Sequence, residues 1–255
     1  MWDTTQYLRF GGERARPFFD LIARLGADKP GFVVDMGCGP GNLTVTLAER
    51  WPSASVVGVD SSPEMIDAAL AHDAPGLSFM RDDVRHWKPQ AMPDVIVSNA
   101  VLQWVPEHRE LLAEWAGWLA AGGWLGIQVP GNFEQPSHAI MRELAESPRW
   151  SPLLRDVNLT RQSADPADYA ELLADAGCEV DAWETTYLHI LHGENPVLEW
   201  IKGTGLRPVL AVLDDEQAAE FLAEYGERLR VAYPPRPFGT VLPFRRVFAV
   251  AHRPG

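Results

Sequence analysis

The sequence predicts an α/β protein built on a doubly wound, mostly parallel sheet. Between residues 32 and 130, short apolar segments rich in β-branched residues alternate with segments of helical periodicity. This alternation is typical of parallel sheets with helices on both faces. The glycine loop GCGPG at 37–41 directly follows the first apolar segment, as nucleotide-binding loops do in such sheets. The 255 residues, 46% hydrophobic and 22% charged, suit one soluble domain of this class.

The predicted elements follow one another in a regular order up to residue 130. Apolar residues at helical spacing predict an opening helix over 13–25. Five strands are predicted by short apolar runs, at 32–36, 55–60, 77–80, 94–99 and 124–130. Further helices are predicted at 43–51, after Ser62-Pro63 and at 106–120. Because the carboxyl ends of parallel strands share one edge of the sheet, we expect ligands to bind at that edge.

The pattern changes after residue 130, where prolines and polar residues interrupt it, and one helix is predicted at 138–147. The later elements are, in order, a helix at 167–176, a long strand at 178–191, mostly helical chain at 193–235 and a last strand at 242–253. The long and last strands are expected to pair, which completes a sheet of seven strands with one antiparallel strand. We expect a single domain, 1–255, in which 131–165 and 193–240 are helical cap insertions over the strand ends.

Composition and charge exclude several classes of protein. The formal net charge of −13 argues against a nucleic-acid binder, which needs a basic face. No apolar run reaches the roughly 18 residues that span a bilayer, and the N-terminus lacks the pattern of a signal peptide, so no membrane partner is expected. Cys38 and Cys178 have no metal-type spacing, which favours a reducing cytoplasm and no metal ion. The sequence gives no indication of oligomeric state.

The glycine loop differs from a dinucleotide-binding loop at two positions. The dinucleotide fingerprint is GxGxxG, but Asn42 stands at the place of its third glycine. Asp35 precedes the loop, and a carboxylate there would repel a pyrophosphate. The same carboxylate suits a cationic ligand group, such as an ammonium or a sulfonium. Asp35 can alternatively cap the turn that follows it.

Two further acidic positions follow neighbouring strands. Asp60 ends the second strand, where a carboxylate can accept hydrogen bonds from ribose hydroxyls. Asp82 and Asp83 follow the third strand, where a carboxylate can accept from an adenine amino group, and Asp83 is the preferred candidate. Ammonium, ribose diol and adenine without phosphate are the parts of S-adenosyl-L-methionine.

Four segments in order, DMGCGPG, GVDSSPEMI, RDDV and SNAVLQWV, resemble the motif series of the class I SAM-dependent methyltransferases over residues 30–130. The resemblance implies a Rossmann-like fold and S-adenosyl-L-methionine as the cofactor. It assigns cofactor binding to Asp35, Gly37, Gly39, Gly41, Asp60, Ser61, Met65, Asp83, Val84, Asn99, Ala100 and Trp104, with Gln103 in the pocket wall. Met65 and Trp104 can alternatively be core residues, and Trp87 is a further candidate for the pocket wall.

A second resemblance covers nearly the whole chain, through YLRF, ERARP, QVPGNFEQPSHAIMRE, AGCEVDAWETTYLH and TGLRP. These segments are similar to those of a family of carboxyl O-methyltransferases, which implies a small anionic tricarboxylic acid as the substrate. A carboxylate is already ionised at pH 7, so its methylation needs no general base. We therefore expect no catalytic acid or base, only positioning and the exclusion of water.

Binding of the non-reacting carboxylates calls for arginine, whose planar fork pairs with both oxygens of a carboxylate. Candidate substrate-binding residues lie outside the cofactor motifs: Arg207, Arg246, Tyr187, His189, Asn132, His138 and Arg14. A surface position is an equal alternative for Arg207 and Arg246, and the favoured one for Arg14, Arg16 and Arg245. A structural role is the favoured alternative for both histidines.

Two other functions remain open from the sequence. Another small carboxylate, such as a malonyl thioester or a fatty acid, is one alternative substrate, and a fatty acid would require an apolar tunnel in place of arginines. A SAM-binding protein without catalysis is the other alternative. An NAD(P) dehydrogenase is disfavoured by Asp35 and Asn42.

Overall fold

Seven strands form one sheet in the computed structural model, which describes residues 11–160 and 163–255. They are β1 (Phe32–Met36), β2 (Ser55–Asp60), β3 (Leu77–Arg81), β4 (Val95–Asn99), β5 (Trp124–Pro130), β6 (Glu179–Leu191) and β7 (Thr240–His252). Their order in the sheet is β3-β2-β1-β4-β5-β7-β6. Strands β1 to β5 pair in parallel, and β7 runs antiparallel to both β5 and β6. The predicted sheet of seven strands with one antiparallel strand is confirmed.

The strand order places the candidate site at the middle of the sheet. The chain winds outward from β1 through β2 to β3, then returns to place β4 on the other side of β1. This reversal makes a switch point beside β1, and in open α/β sheets ligands bind outside the carboxyl ends of the strands there. The glycine loop leaves β1 at this point.

Helices connect and cover the strands. They are α1 (Gly11–Ile22), α2 (Thr44–Arg50), α3 (Pro63–Ala69), α4 (His108–Trp118), α5 (Pro136–Glu146), α6 (Ser151–Leu154), α7 (Pro166–Asp175), α8 (Pro196–Lys202), α9 (Arg207–Leu210) and α10 (Asp215–Ala232), with a 3₁₀ turn at Leu102–Trp104. Ser62 caps α3, because its hydroxyl accepts the Met65 N–H at 3.3 Å, and Pro63 opens that helix as predicted. The single helix predicted within 131–165 is α5, and α6 was missed because one helical turn shows no periodicity.

Two hydrophobic clusters cover the two faces of the sheet. On one face, α4 and α7 pack against alternate residues of β5, such as Ile127. On the other face, Phe18 and Leu21 of α1 pack with residues of α2 and the central strands. Successive residues of β5 point to opposite faces of the sheet, and Leu125 to Pro130 are all buried because both faces are covered.

A third hydrophobic cluster lies in the cap, formed by α5, α6 and α8 to α10 around one end of β6 and β7. Its largest buried side chains are Trp150, Trp200, Phe221 and Tyr225. The residues of this cluster come from both predicted cap segments, 131–165 and 193–240, and from the end of the long strand. The cap therefore has an apolar core of its own, which can hold side chains in place at the sheet edge.

Trp87 does not lie in a pocket wall, and that prediction is wrong. The turn after β3 directs its ring under the sheet, where it is 7% exposed and meets Trp118 edge-on at 6.3 Å between ring centroids. Its indole N–H donates to Met80 Sδ at 3.3 Å. Trp87 is therefore a core residue.

Within residues 11–160 and 163–255, no helix is both long enough and apolar enough to cross a bilayer.

Candidate active site

A cleft of about 630 Å³ opens at the carboxyl ends of the strands. One side, the strand-loop wall, consists of cleft-lining residues from 37–105, which follow β1 to β4. The other side, the cap wall, consists of cleft-lining residues from 130–138, 200–208 and 244–246. The volume lies within the range of about 300–1,000 Å³ that small-molecule sites occupy.

Glycine at position 37 is required by the tight passage of the loop over the start of the 3₁₀ turn. Gly37 has a φ of 80°, and a Cβ on it would lie 2.1 Å from Val101 Cγ2. Its N–H donates to the Val59 carbonyl at 2.7 Å, which ties the loop to β2. Gly37 and Gly39 line the cleft, whereas Gly41 packs beneath the loop, where a Cβ would lie 2.7 Å from the Phe79 ring.

Asp35 supports the glycine loop from below and does not line the cleft. Its side chain is 3% exposed, and Oδ2 accepts the Thr44 hydroxyl at 2.6 Å. Burial raises the pKa of Asp35 to about 7, against the Thr44 hydrogen bond and with a smaller contribution from the charge of Asp60. Asp35 therefore lies behind the loop. It is not at the cleft, where a direct contact with a cationic ligand group was expected.

Asp60 connects the glycine loop to the start of α3. Its Oδ2 accepts the Gly39 N–H and its Oδ1 accepts the Ser62 N–H, both at 2.9 Å. Burial raises the pKa of Asp60 in spite of these bonds. Asp60 also lines the cleft, together with the predicted neighbours Ser61 and Met65. Its carboxylate therefore fixes the loop and presents an acceptor to a ligand.

Asp83 and Val84 line the cleft after β3, and Asp83 is paired with Arg85. The Arg85 Nε donates to both carboxylate oxygens of Asp83, at 2.9 and 3.1 Å. The hydrogen bond and charge of Arg85 lower the pKa of Asp83 to about 2. Arg85, which the sequence did not single out, also lines the cleft.

The end of β4 presents buried hydrogen-bonding atoms to the cleft. Ala100 has a φ of 59°, a strained value for a residue other than glycine. The Gln103 Nε2 donates to the Ala100 carbonyl at 2.7 Å, which leaves Gln103 Oε1 available. Within the described chain, Gln103 Oε1 and Asn99 Oδ1 are buried without a hydrogen-bond partner. Buried polar atoms are rarely left unpaired, so these oxygens fit a ligand that brings N–H donors, such as the ammonium of S-adenosyl-L-methionine.

Arg246 is the buried cation of the cap wall, with 5% of its surface exposed. Its guanidinium lies 4.3 Å from the centre of the Phe244 ring, and that ring lies 5.6 Å from Trp200. Trp200 in turn stacks on His189 at 4.8 Å between ring centroids. This row of rings supports the guanidinium by cation–π contact and by packing.

Arg207, the first residue of α9, is the second arginine of the cap wall. It is half-buried, and its positive charge interacts electrostatically with Glu64 on α3. The pKa of Glu64 is lowered first by its hydrogen bond with Ser62 and to a smaller extent by Arg207. Arg207 is therefore near Glu64 at the start of α3.

Asn132 and His138, which follow β5, also line the cleft. Asn132 is 2% exposed, and its Oδ1 has no hydrogen-bond partner within the described residues. His138 is buried beside Phe133, with 5.4 Å between the ring centroids. Asn132 thus adds a buried amide to the cap wall, and His138 adds an imidazole.

Two predicted substrate-binding residues, Tyr187 and His189, do not line the cleft. Tyr187 donates to Asp20 Oδ2 at 2.6 Å and so ties β6 to α1, while His189 lies behind Trp200. Both do face one side of β6, but β6 is the edge strand, separated from β5 by β7. The side chain of Arg14 lies outside the part of the chain that the structure describes.

Arg245 faces away from the cleft, as expected for a surface residue. Its guanidinium pairs with Glu184 and Asp165, whereas its neighbour Arg246 lies on the opposite face of β7. The cleft contains further residues that the sequence analysis missed, namely Arg85, Phe133, Trp200 and Phe244. Phe244 is two residues before Arg246, so strand alternation was a usable signal for it.

Comparisons with known proteins identify related chains. A family model described as a methyltransferase domain matches residues 10–182. Trans-aconitate 2-methyltransferase of Rhodococcus jostii is 57% identical, over 98% of this chain and 99% of its own length. The enzyme of the same name from Streptomyces avermitilis is 54% identical, over 99% of this chain and 97% of its own.

Solved structures share the fold at low identity. A putative methyltransferase from Bacillus halodurans has a TM-score of 0.59 at 13% identity, with 94% of this chain and 100% of that chain covered. Phosphoethanolamine N-methyltransferase 2 of Haemonchus contortus, in complex with S-adenosyl-L-methionine, has a TM-score of 0.56 at 18% identity, with 94% and 53% covered. At these identities the likeness concerns the fold alone.

Proposed function

The chain belongs to the methyltransferase family and, within it, to the trans-aconitate 2-methyltransferases, and we propose that it methylates a carboxylate of trans-aconitate with S-adenosyl-L-methionine. The products are the monomethyl ester and S-adenosylhomocysteine. The observation that carries this proposal is that one cleft contains both the glycine-loop residues of the strand-loop wall and two arginines of the cap wall. A cofactor and a polyanionic substrate can therefore meet in one cavity.

The strand-loop wall fits the cofactor. We propose that Asp60 accepts from the ribose hydroxyls, that Asp83 and Val84 border the adenine, and that Asn99 and Gln103 accept from the ammonium. The unpaired oxygens of Asn99 and Gln103 support the last assignment. When bound, S-adenosyl-L-methionine supplies a sulfonium methyl, and its transfer forms an O–CH₃ bond, breaks the C–S bond and returns that electron pair to sulfur.

The cap wall fits the substrate. Arg207 and Arg246 supply two cations for a substrate with three carboxylates, and arginine pairs bidentately with carboxylates. A fatty acid would instead require an apolar tunnel, which the two arginines of the cap wall disfavour. We propose that 131–165 and 193–240 act as substrate-binding insertions of a single domain, because both supply residues to the cap wall.

The residues of the cleft position the substrate and exclude water. A carboxylate with an ordinary pKa is ionised at pH 7, so no residue has to remove a proton. The aromatic side chains Phe133, Trp200 and Phe244 line the cap wall and reduce the space for water around the reacting oxygen.

Two cysteines, both unpaired and buried, support the cytoplasm as the proposed site of action.

The proposal is tested by methyl transfer from labelled S-adenosyl-L-methionine to a panel of di- and tricarboxylates, a fatty acid and a malonyl thioester. We expect label in an ester of trans-aconitate, with kcat/KM at least about tenfold above that for each dicarboxylate, because one arginine then lacks its carboxylate. Transfer only to the fatty acid or thioester would contradict the proposed substrate. Cofactor binding without any transfer would contradict the proposed catalysis.

A further inference from the structure

The cap wall offers two chemically different places for a carboxylate. Arg207 and Arg246 are cations, whereas Asn132 and His138 present neutral groups. His138 is neutral at pH 7, because burial lowers the pKa of its imidazole to about 4, with a smaller contribution from the charge of Arg142. The three carboxylates of the proposed substrate therefore meet unequal surroundings.

The imidazole of His138 is held in one orientation by a network at the start of α5. Tyr225 donates its hydroxyl hydrogen to the Ser137 carbonyl, and the Ser137 N–H donates to Tyr233 Oη at 3.0 Å. The Ser137 hydroxyl lies 3.2 Å from His138 Nδ1. When this hydroxyl donates to Nδ1, the imidazole proton is on Nε2, which makes Nε2 a donor. Tyr225 of α10 and Tyr233, the residue directly after that helix, thus fix Ser137, which sets the tautomer.

The Nε2 atom faces Gly205, in the segment between α8 and α9. A Cβ built on Gly205 would lie 3.5 Å from His138 Nε2 and 3.4 Å from Ile201 Cγ2, both ordinary contact distances. Both Gly205 and His138 line the cleft. The missing side chain at Gly205 therefore leaves Nε2 open to a ligand, and an alanine would cover it without forcing a clash.

A neutral donor suits the carboxylate that reacts. This carboxylate loses its negative charge as its oxygen becomes an ester oxygen, so a bound cation stabilises the ground state more than the transition state. An arginine fork also engages both oxygens of a carboxylate. A single N–H donor orients one oxygen and leaves the other for the methyl group.

We propose that the Nε2–H of His138 binds the carboxylate that is methylated, while Arg207 and Arg246 bind the other two. His138 transfers no proton, since the O–C bond forms as the C–S bond breaks and the electron pair goes to sulfur. His138 thereby determines which carboxylate becomes the ester. This inference rests on the proposed function, because it requires trans-aconitate to bind in the cleft.

The first test measures binding without catalysis. In ¹⁵N-histidine-labelled protein saturated with S-adenosylhomocysteine, the ring signals of His138 are assigned by their loss in His138→Gln. We expect a neutral ring with its proton on Nε2, and a shift of the Nε2 signal by several ppm when trans-aconitate is added. Saturation with trans-aconitate without a change at Nε2, or a ring protonated on Nδ1, would overturn the proposal.

The second test separates affinity from turnover. We expect His138→Leu to lower kcat by about 30-fold and to change the dissociation constant of trans-aconitate less than threefold, because both arginines remain. His138→Gln should recover at least a third of kcat, since its amide is a neutral donor. Wild-type kcat and ester position in His138→Leu, or no recovery in His138→Gln when its fold is intact by circular dichroism, would overturn the proposal.

A milder substitution tests the same atom without changing the histidine. Gly205→Ala should lower kcat by about tenfold, whereas the control Gly117→Ala, with no atom within 4 Å of its new Cβ, should not. Equal kinetics in the two variants would argue against access through Gly205. If wild-type protein neither binds nor methylates trans-aconitate, the proposed function fails; if it does both and only the His138 results disagree, the inference alone fails.

Discussion

The two walls of the cleft are built in different ways. The residues of the strand-loop wall come from 37–105, each at or shortly after the end of a strand. Hydrogen bonds from the loop main chain fix them, such as the one from the Gly39 N–H to the Asp60 carboxylate. The residues of the cap wall come from three distant segments and are fixed by packed side chains, such as the row from Arg246 to Trp200. We propose that the sheet edge supplies the cofactor site and that the separately packed cap supplies the substrate specificity. Substitutions in the strand-loop wall should therefore weaken binding of the cofactor, and substitutions in the cap wall should weaken binding of the substrate.

Arg246→Ala, in the cap wall, should cause the largest loss of activity among the substitutions considered. It removes a buried cation of the cap wall, and loss of a charge-assisted pair costs about 3 kcal/mol, on the order of 100-fold in kcat/KM for trans-aconitate. Steady-state kinetics measure that loss, and calorimetry should find S-adenosyl-L-methionine affinity within about twofold of wild type. The matched control is Arg245→Ala, on the same strand but paired with Glu184 and Asp165 away from the cleft. Equal losses in both variants would refute the role of Arg246.

Asp60→Ala, in the strand-loop wall, should weaken binding of the cofactor. Loss of the bonds to ribose and to the glycine loop should weaken binding of S-adenosyl-L-methionine by about 1.5–3 kcal/mol, as calorimetry would measure. Asp67→Ala, an exposed carboxylate on α3, is the matched control. Unchanged cofactor affinity in Asp60→Ala would eliminate the ribose assignment.

The raised pKa of Asp35 predicts a pH dependence of cofactor binding. The native state binds this proton more tightly than the unfolded chain, so the stability contributed by protonated Asp35 is lost as pH rises from about 4 through its pKa of about 7. A cationic ligand near the loop favours the ionised form and lowers this pKa. The dissociation constant of S-adenosyl-L-methionine should therefore fall by up to about tenfold between pH 6 and pH 8. A titration of Asp35→Asn that shows the same pH dependence would assign it to another group.

Tyr187→Phe should have the smallest effect on activity. It tests whether Tyr187 lies outside the cap wall. The substitution removes the hydrogen bond to Asp20, and we expect a loss of about 1–2 kcal/mol in the free energy of unfolding by denaturant. The KM for trans-aconitate should stay at the wild-type value, since Tyr187 is not at the cleft. A raised KM for trans-aconitate would instead show that Tyr187 contributes to substrate binding.

The sequence was sufficient for the sheet and for most of the strand-loop wall. Each residue there follows its strand closely, so its place in the sequence is also its place at the sheet edge, as for Asp60 and Asn99. The exceptions are Asp35, which lies behind the loop and bonds the Thr44 hydroxyl, and Gly41, which packs beneath the loop against Phe79. Arg85 was missed because its pairing with Asp83 depends on the shape of a turn.

The cap wall could be predicted through charge and, for Asn132 and His138, through their position after β5. Arg207 and Arg246 were found because a polyanionic substrate calls for arginine, but nothing in the pattern associates Trp200 with Phe244, some 40 residues away. Tyr187 and His189 were grouped correctly on one face of a strand. Their distance from the cleft follows from the edge position of β6, and strand order is set by packing of the whole sheet rather than by local periodicity.

The most direct measurement of the division into two walls is a crystal structure with S-adenosylhomocysteine and trans-aconitate bound together. We expect the adenosine beside Asp60, two carboxylates of the acid at about 3 Å from Arg207 and Arg246, and the third directed at the sulfur. Binding of the acid on the strand-loop wall, or outside the cleft in the cap pocket lined by Glu199 and Arg230, would contradict it.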